Sequence, residues 1–266
     1  MTGDSRFDLT RRRALGVLGA SVGGLALGGT SVAAQHRDDS GTNAGGGTGG
    51  GARTYRVTVA NRTNGQPFTP PAVAAHRPDV GVFSVGEPAS RPVREVAENG
   101  NLGPLVELIE ETDAIRASAV GGSPLVPSAD PGDTGLPYSA TLEFEADASA
   151  THLTFLCMLV ATNDGFAGLD TVPLPDPVGA SRTYHAGSYD AGTEENSEDF
   201  RDMVPPADTL MGVDSSDEGT TSPDPRTVVT DGVVTPHPGI AGTGDLDPEI
   251  YGWEDPAALV HVERTG

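Results

Sequence analysis

Short apolar segments separated by Gly and Pro are the feature that most restricts the fold of this chain. In residues 55–59, Tyr and Val alternate with Arg and Thr, and this period of two is typical of a strand with one buried face. Residues 138–145 end in the same pattern, with Leu and Phe against Glu. Residues 153–160 are almost continuously apolar, which indicates a central strand. The connection over residues 146–150 is short enough to pair these last two strands antiparallel.

Two more strand signals and one helix signal follow from the same kind of pattern. Residues 228–234 carry Asp-Gly between pairs of Val, which predicts a tight hairpin. Residues 259–262 predict a closing strand with Val260 and Val262 on one face. Residues 102–115 place Leu and Ile on one helical face and Glu on the other. Many short strands, one helix and no alternation of strand with helix predict an all-β fold, an antiparallel β-sandwich with one short helix inserted.

The charge of the chain excludes whole classes of partner. All 16 basic residues are Arg, none is Lys, and 38 carboxylates bring the formal charge to −22. Such a chain repels nucleic acid and anionic lipid. Its carboxylates also repel one another, and that repulsion is screened at about 1 M salt, where the Debye length is only about 3 Å. The sequence therefore predicts a protein adapted to molar salt.

The N-terminal residues predict export. Arginines at positions 11–13 precede an uncharged, weakly apolar stretch that ends at Ala34, which resembles a twin-arginine signal peptide over residues 1–34. Residues 35–54 read as a Gly-rich flexible linker and residues 55–266 as the folded domain. No later run reaches the roughly 20 apolar residues of a membrane helix. We therefore expect a secreted or cell-surface protein with no transmembrane segment in the mature chain, whether the signal is cleaved or retained as an anchor.

Three ordered segments carry a family resemblance. Residues 155–170 combine an apolar strand with an Asn-Asp-Gly loop, residues 189–196 read Tyr-Asp-Ala-Gly-Thr-Glu-Glu-Asn, and residues 237–248 begin His-Pro-Gly-Ile and end Gly-Asp-Leu-Asp-Pro. Together they resemble the spondin N-terminal domain family in its prokaryotic branch. The resemblance implies an eight-stranded antiparallel β-sandwich, similar to calcium-dependent phospholipid-binding domains, that holds one Ca²⁺ at an edge. Animal members belong to extracellular-matrix adhesion proteins, so it also implies adhesion to an extracellular protein or glycan.

The resemblance assigns the calcium ligands to Asp164, Asp190 and Glu194. The chemistry of the acidic loops adds Asp170 as a candidate additional ligand or neighbour of the ligands. The chain departs from the family in having Glu194 where Asp is usual, a glycine after Asp164, and no paired cysteines. Acidic loops at strand ends independently suit Ca²⁺, which takes six to eight oxygen ligands. The alternative for all four carboxylates is a solvated acidic surface. The single Cys157 lies in an apolar run and is expected to be a buried packing residue.

No catalytic arrangement is predicted. No two of the six His stand three or four residues apart, and no Ser lies on a strand–turn–helix elbow. Two alternatives to a calcium-binding adhesion module stay open: an exported hydrolase that acts through acidic residues, and a metal-free structural surface domain. An N-glycosylation sequon stands at residues 61–63.

The charge yields a testable prediction about folding. In a far-ultraviolet circular dichroism titration, we expect the strand signal to be lost below a few tenths molar KCl, because screening of the carboxylates is then too weak to offset their repulsion. A signal that stays constant across the titration would contradict the proposed adaptation to salt.

Overall fold

The computed structural model describes residues 35–36, 51–205, 207–217, 219–221 and 224–266. The predicted signal peptide, residues 1–34, and residues 37–50 of the predicted linker lie outside this part of the chain. Among the described residues, no helix is long and apolar enough to span a membrane.

Ten antiparallel strands form the framework of the described chain, and eight of them are five residues or longer. They are β1 (Gln35–His36), β2 (Arg53–Asn61), β3 (Ala72–His76), β4 (Ile115–Val120), β5 (Ser139–Ala146), β6 (His152–Met158), β7 (Gly165–Pro173), β8 (Ser181–Asp190), β9 (Thr235–Pro236) and β10 (Ala258–Arg264). Their order is β1-β4-β3-β6-β7-β8-β10-β2-β5, with β9 added beside β8. The predicted all-β antiparallel sandwich is confirmed, in a nearly closed form.

Strand β8 belongs to both sheets of the sandwich. Its first half pairs with β10 as far as Ala186, and its second half pairs with β7 from Gly187 to Asp190. The core lies between the two sheets and includes Tyr55 and Phe144, whose ring centroids are 5.6 Å apart. Because β6, β7 and the second half of β8 are antiparallel neighbours, the loops after β6 and β8 come to the same edge of the sandwich.

Two helices cover the outer face of the β3-β6-β7 sheet. They are α1 (Arg91–Asn99) and α2 (Gly103–Glu111), and their buried Val and Leu side chains pack with Leu156 and Phe166. Strand β6 is thus buried on both faces, which explains its continuous apolar sequence. The prediction of one helix over residues 102–115 was right in place, at α2, but wrong in extent, since the helix ends at Glu111 and Ile115 already belongs to β4. The separate helix α1, which Gly100 ends at a φ of 60°, was not predicted. A left-handed glycine commonly ends a helix.

Three shorter helical segments follow in the second half of the chain. They are a 3₁₀ turn (Phe200–Asp202), α3 (Ala207–Met211) and α4 (Pro248–Tyr251). Their apolar residues pack in a cluster of their own, separate from the core between the sheets and from the residues buried beneath α1 and α2, and we call it the third apolar cluster. In this cluster the ring centroids of Phe200 and Tyr251 lie 5.7 Å apart. The predicted single inserted helix therefore understates the helical content.

The predicted pairing of the strands around residues 138–145 and 153–160 was also wrong. Strand β5 pairs with β2 along its length, whereas β6 pairs with β3 and β7. The turn between β5 and β6 carries the chain from one sheet to the other, so Phe144 and Leu153 enter the same core from opposite sides. Alternating hydrophobicity defines which face of a strand is buried, but it does not identify the partner strand.

The predicted hairpin over residues 228–234 is absent from the described structure. Val228 forms only an isolated bridge with Glu194, and the chain turns at Asp231, whose φ is 65°. A Cβ on Gly232 would lie 1.9 Å from the carbonyl oxygen of Gly192. The Asp-Gly pair therefore serves close packing against the loop after β8. In contrast, the closing strand was predicted correctly, and so was the buried, free Cys157.

The sequon at residues 61–63 is a buried structural element. The Asn61 side-chain amide donates hydrogen bonds to the carbonyl oxygens of Gln66, at 2.7 Å, and Leu125, at 3.3 Å. Its amide oxygen accepts hydrogen bonds from the backbone and the hydroxyl of Thr63. An amide nitrogen that is buried and donates twice cannot carry a glycan in the folded protein.

Replacing Asn61 tests this role. We expect Asn61→Ala to lower the free energy of unfolding by about 2–3 kcal/mol, because it removes two hydrogen bonds to buried carbonyls and leaves the buried backbone N–H of Thr63 without its acceptor. The exposed Asn64 offers a matched control, and Asn64→Ala should change the value by less than about 0.5 kcal/mol. Denaturant unfolding in molar KCl measures both; equal losses for the two variants would contradict the role given to Asn61.

Candidate functional site

The candidate site lies where β7 begins and β8 ends. Asp164 stands directly before β7, and Asp190 is the last residue of β8. Gly165 and Asp190 are partners in the β7–β8 register, and the backbone N–H of Ala191 donates to the carbonyl oxygen of Asp164 at 3.1 Å. Antiparallel pairing therefore brings these two predicted ligands to one edge of the sandwich.

The Asp164 carboxylate organises the loop that follows β8. The side chain is fully buried, and its Oδ2 accepts three hydrogen bonds: from the backbone N–H of Thr193 at 2.7 Å, from the Thr193 hydroxyl at 3.1 Å, and from the backbone N–H of Glu194 at 3.0 Å. Its other oxygen, Oδ1, is buried and has no hydrogen-bond partner among the described residues. A buried carboxylate oxygen without a donor is costly unless something binds it.

Asp190 holds the same loop from its start. One carboxylate oxygen accepts from the backbone N–H of Gly192 and the other from the side-chain amide of Asn196, both at 2.7 Å. Gly192 has a φ of 70°, and a Cβ there would lie 2.5 Å from the carbonyl oxygen of Val233. Both the backbone conformation and the close approach of the second chain segment require glycine at this position.

The electrostatics of the site disfavour two negative charges. Burial, and then the charge of Asp190, raise the pKa of Asp164 to about 6, although hydrogen bonds from Thr193 and Glu194 act in the opposite direction. No arginine contributes to the electrostatics of Asp164 among the described residues, and Arg201 and Arg226 pair instead with Asp199, Asp202 and Asp224. A cation at this edge would lower the electrostatic energy of both carboxylates.

The other two predicted residues are placed differently. Glu194 is buried on the same loop, and its backbone forms the bridge to Val228. Asp170 lies further along β7, where its Oδ1 accepts from the backbone N–H of Val82 at 3.0 Å and from the Thr154 hydroxyl at 3.3 Å. The structure thus brings Asp164, Asp190 and the loop of Glu194 together, and it engages Asp170 in holding a neighbouring segment.

His237 is a neighbour of the site that sequence reasoning missed. It follows β9, which pairs with β8, and its backbone N–H donates to the carbonyl oxygen of Ser188 at 3.1 Å. Burial lowers the pKa of its ring to about 4, against the opposing charges of Asp190, Asp255 and Glu198. The ring is therefore neutral at pH 7 and adds no positive charge beside Asp190.

Asn196 was also missed, although its amide bonds Asp190 directly. No local sequence pattern marks Asn196 or His237 as part of the site. Asn196 ends the acidic loop motif, and His237 begins the third segment of the resemblance, but only the fold shows that these segments meet. Among the residues that the structure describes, no group of three or more His, Cys, Asp or Glu is arranged to hold a metal ion. The site therefore consists of two aspartates whose carboxylates are hydrogen-bonded to the loop after β8. One of their oxygens, the buried Asp164 Oδ1, has no hydrogen-bond partner among the described residues.

Comparison of the sequence with protein-family models and with curated proteins found no match.

The raised pKa of Asp164 predicts how the metal-free protein responds to pH. The pKa is about 6 in the folded state and 3.8 as its ordinary value, so the folded state binds the extra proton between these pH values. The stabilisation by this group is complete below pH 4 and is lost as the pH rises through 6. We expect the unfolding free energy of the wild type, relative to Asp164→Asn, to fall by an amount on the order of 3 kcal/mol between pH 4 and pH 7.

Denaturant unfolding with a chelator present measures this difference. The exposed Asp133 provides the control, because Asp133→Asn removes one carboxylate from the surface without changing the site. A pH-independent difference for Asp164→Asn would show that burial and the charge of Asp190 do not raise the pKa of Asp164 in the folded protein.

Proposed function

We propose that this protein is an exported calcium-binding module of the spondin N-terminal type, which serves in adhesion at a cell surface or in a matrix. The observation that carries the proposal is the buried Asp164 Oδ1, which lacks a hydrogen-bond partner among the described residues and lies in the field of a second carboxylate, Asp190. A buried carboxylate oxygen that has no hydrogen-bond donor and lies near a second negative charge is stabilised when a cation binds it. The motifs in residues 155–170 and 189–196, and the β-sandwich that joins them, give further support.

The chemistry of the donors favours Ca²⁺ over a transition metal. Asp164, Asp190 and Glu194 offer only carboxylate oxygens, and calcium binds such hard ligands in flexible loops. The one imidazole nearby is less suited: the His237 Nδ1 accepts a hydrogen bond from the backbone N–H of Gly239 at 3.0 Å, so in the neutral ring the proton stands on Nε2. That nitrogen then has no lone pair to offer a metal.

The proposed ligands would be Asp164 through its Oδ1 and Asp190, which the fold brings together. Glu194, from the loop that follows β8, would turn its carboxylate toward them when the metal binds. Calcium supplies positive charge that offsets the repulsion of the two aspartates, and remaining coordination positions fall to backbone carbonyls and water. The protein's own contribution is to hold the loop 190–196 in one conformation through the hydrogen bonds to Asp164 and Asp190. Such a rigid loop edge is suited to contact with an extracellular protein or glycan.

Calorimetric titration of Ca²⁺ in about 1 M KCl tests the proposal, because molar salt abolishes weak binding to a general acidic surface. We expect one saturable site with a dissociation constant of about 10⁻⁴–10⁻³ M, the range of extracellular calcium modules. Asp190→Ala should abolish it, and so should Asp190→Asn, which keeps the size of the side chain and protects the test against misfolding.

Two adjacent glutamates supply a matched comparison. Glu194 is buried at the site and Glu195 is exposed beside it, so Glu194→Gln should weaken binding about tenfold or more while Glu195→Gln leaves it unchanged. The absence of a saturable site in the wild type, or equal effects of the two substitutions, would reject this calcium site and favour a metal-free surface domain.

A further inference from the structure

A cleft of about 340 Å³ opens beside the third apolar cluster, and none of the proposed calcium ligands lines it. Its wall is apolar, formed by Phe200, Val204, Pro205 and Ala207. Phe200 and Ala207 are buried members of the cluster, so the wall belongs to a packed part of the protein. A cleft of this size lies at the lower end of the range for small-molecule sites, roughly 300–1,000 Å³.

Two carboxylates stand at this apolar wall. Asp208 and Asp217 line the cleft, and the lining contains no Arg or His among the described residues. Among the described residues, the Asp208 carboxylate accepts hydrogen bonds from Thr209 alone, at 2.7 Å from its backbone N–H and 3.4 Å from its hydroxyl. The closest arginine in sequence, Arg201, pairs with Asp199 and Asp202. The negative charge of the cleft is therefore not neutralised by the described part of the protein.

The charge of Asp208 reaches into the protein interior. Tyr251 is buried in the third cluster, and its hydroxyl has no hydrogen-bond partner among the described residues. Burial, followed by the nearby charge of Asp208, raises the pKa of this hydroxyl. A carboxylate whose field is felt through apolar protein is less screened by water, so it attracts a cation in the cleft more strongly than an exposed carboxylate would.

We infer that this cleft binds a small organic monocation of the quaternary ammonium class. An apolar wall with an aromatic ring and adjacent carboxylates matches a cation that carries methyl groups in place of a hydration shell. Inorganic cations match less well, because they require several oxygen ligands in place of the apolar wall. Anions are disfavoured by both carboxylates and by the charge of −22 on the whole chain.

Choline and 3,3-dimethylbutan-1-ol provide a matched pair of probes. They have the same shape, and the second has carbon in place of the charged nitrogen. Titration of each into the full chain in about 1 M KCl, followed by backbone amide chemical shifts, locates and measures binding. We expect saturable shifts at Ala207, Thr209 and Gly219, which line the cleft, and about fivefold tighter binding of choline than of the neutral alcohol.

Two substitutions separate the role of the cleft from that of general surface charge. Asp208→Asn should remove most of the preference for choline. Asp214→Asn makes the same charge change at an exposed residue that does not line the cleft, and it should preserve the preference. Shifts that do not saturate, equal affinity for the two probes, or equal effects of the two substitutions would each overturn the inference.

Discussion

The change of partner along β8 is the constraint on which the rest of the molecule depends. One half of this strand completes the sheet that contains β10 and β2, and the other half completes the sheet that contains β7 and β6. Both sheets are therefore parts of one nearly closed sandwich around a shared core. The same strand ends at Asp190, directly opposite the start of β7, so the pairing that closes the fold also places two aspartates together. The candidate site is a consequence of the way the sandwich is closed.

Electrostatic repulsion recurs at every level of this protein. The whole chain carries a charge of −22. At both proposed binding sites, carboxylates lie against the apolar interior of the protein, where water screens their charge less. At the loop after β8, Asp164 is fully buried beside Asp190; at the cleft, Asp208 lies against buried apolar residues. Hydrogen bonds from the backbone stabilise the ionised form of Asp164 but do not neutralise it. Under the two proposals, an external cation would relieve both arrangements: in one case a metal ion that prefers oxygen, and in the other an alkylated cation that prefers an apolar wall.

Local patterns in the sequence identified the elements better than the contacts between them. The patterns in residues 55–59 and 259–262 predicted a half-buried strand and a closing strand, which are β2 and β10, and the apolar run of β6 reflected its burial on both faces. The partner of β5 was missed because its register is decided by the core, and no pattern within the strand encodes it. The separate helix α1 was missed because its apolar positions are few and Gly100 ends it early.

His237 and Asn196 could not be found from the sequence either, since each reaches the site only through strand pairing or side-chain contacts between distant segments. Asp170 shows the converse: a carboxylate near the motif in sequence is engaged with Val82 and Thr154 in the fold.

A crystal structure of the protein grown in molar KCl with millimolar CaCl₂ is the most direct test of the central claim, that the edge formed by Asp164 and Asp190 is a cation site. The account predicts one strong density peak at about 2.3–2.6 Å from the Asp164 Oδ1 and from an Asp190 carboxylate oxygen, the distances typical of calcium ligands. A peak elsewhere in the molecule, or an Asp164 Oδ1 that is bonded only to water or to a protein donor in the presence of calcium, would contradict it.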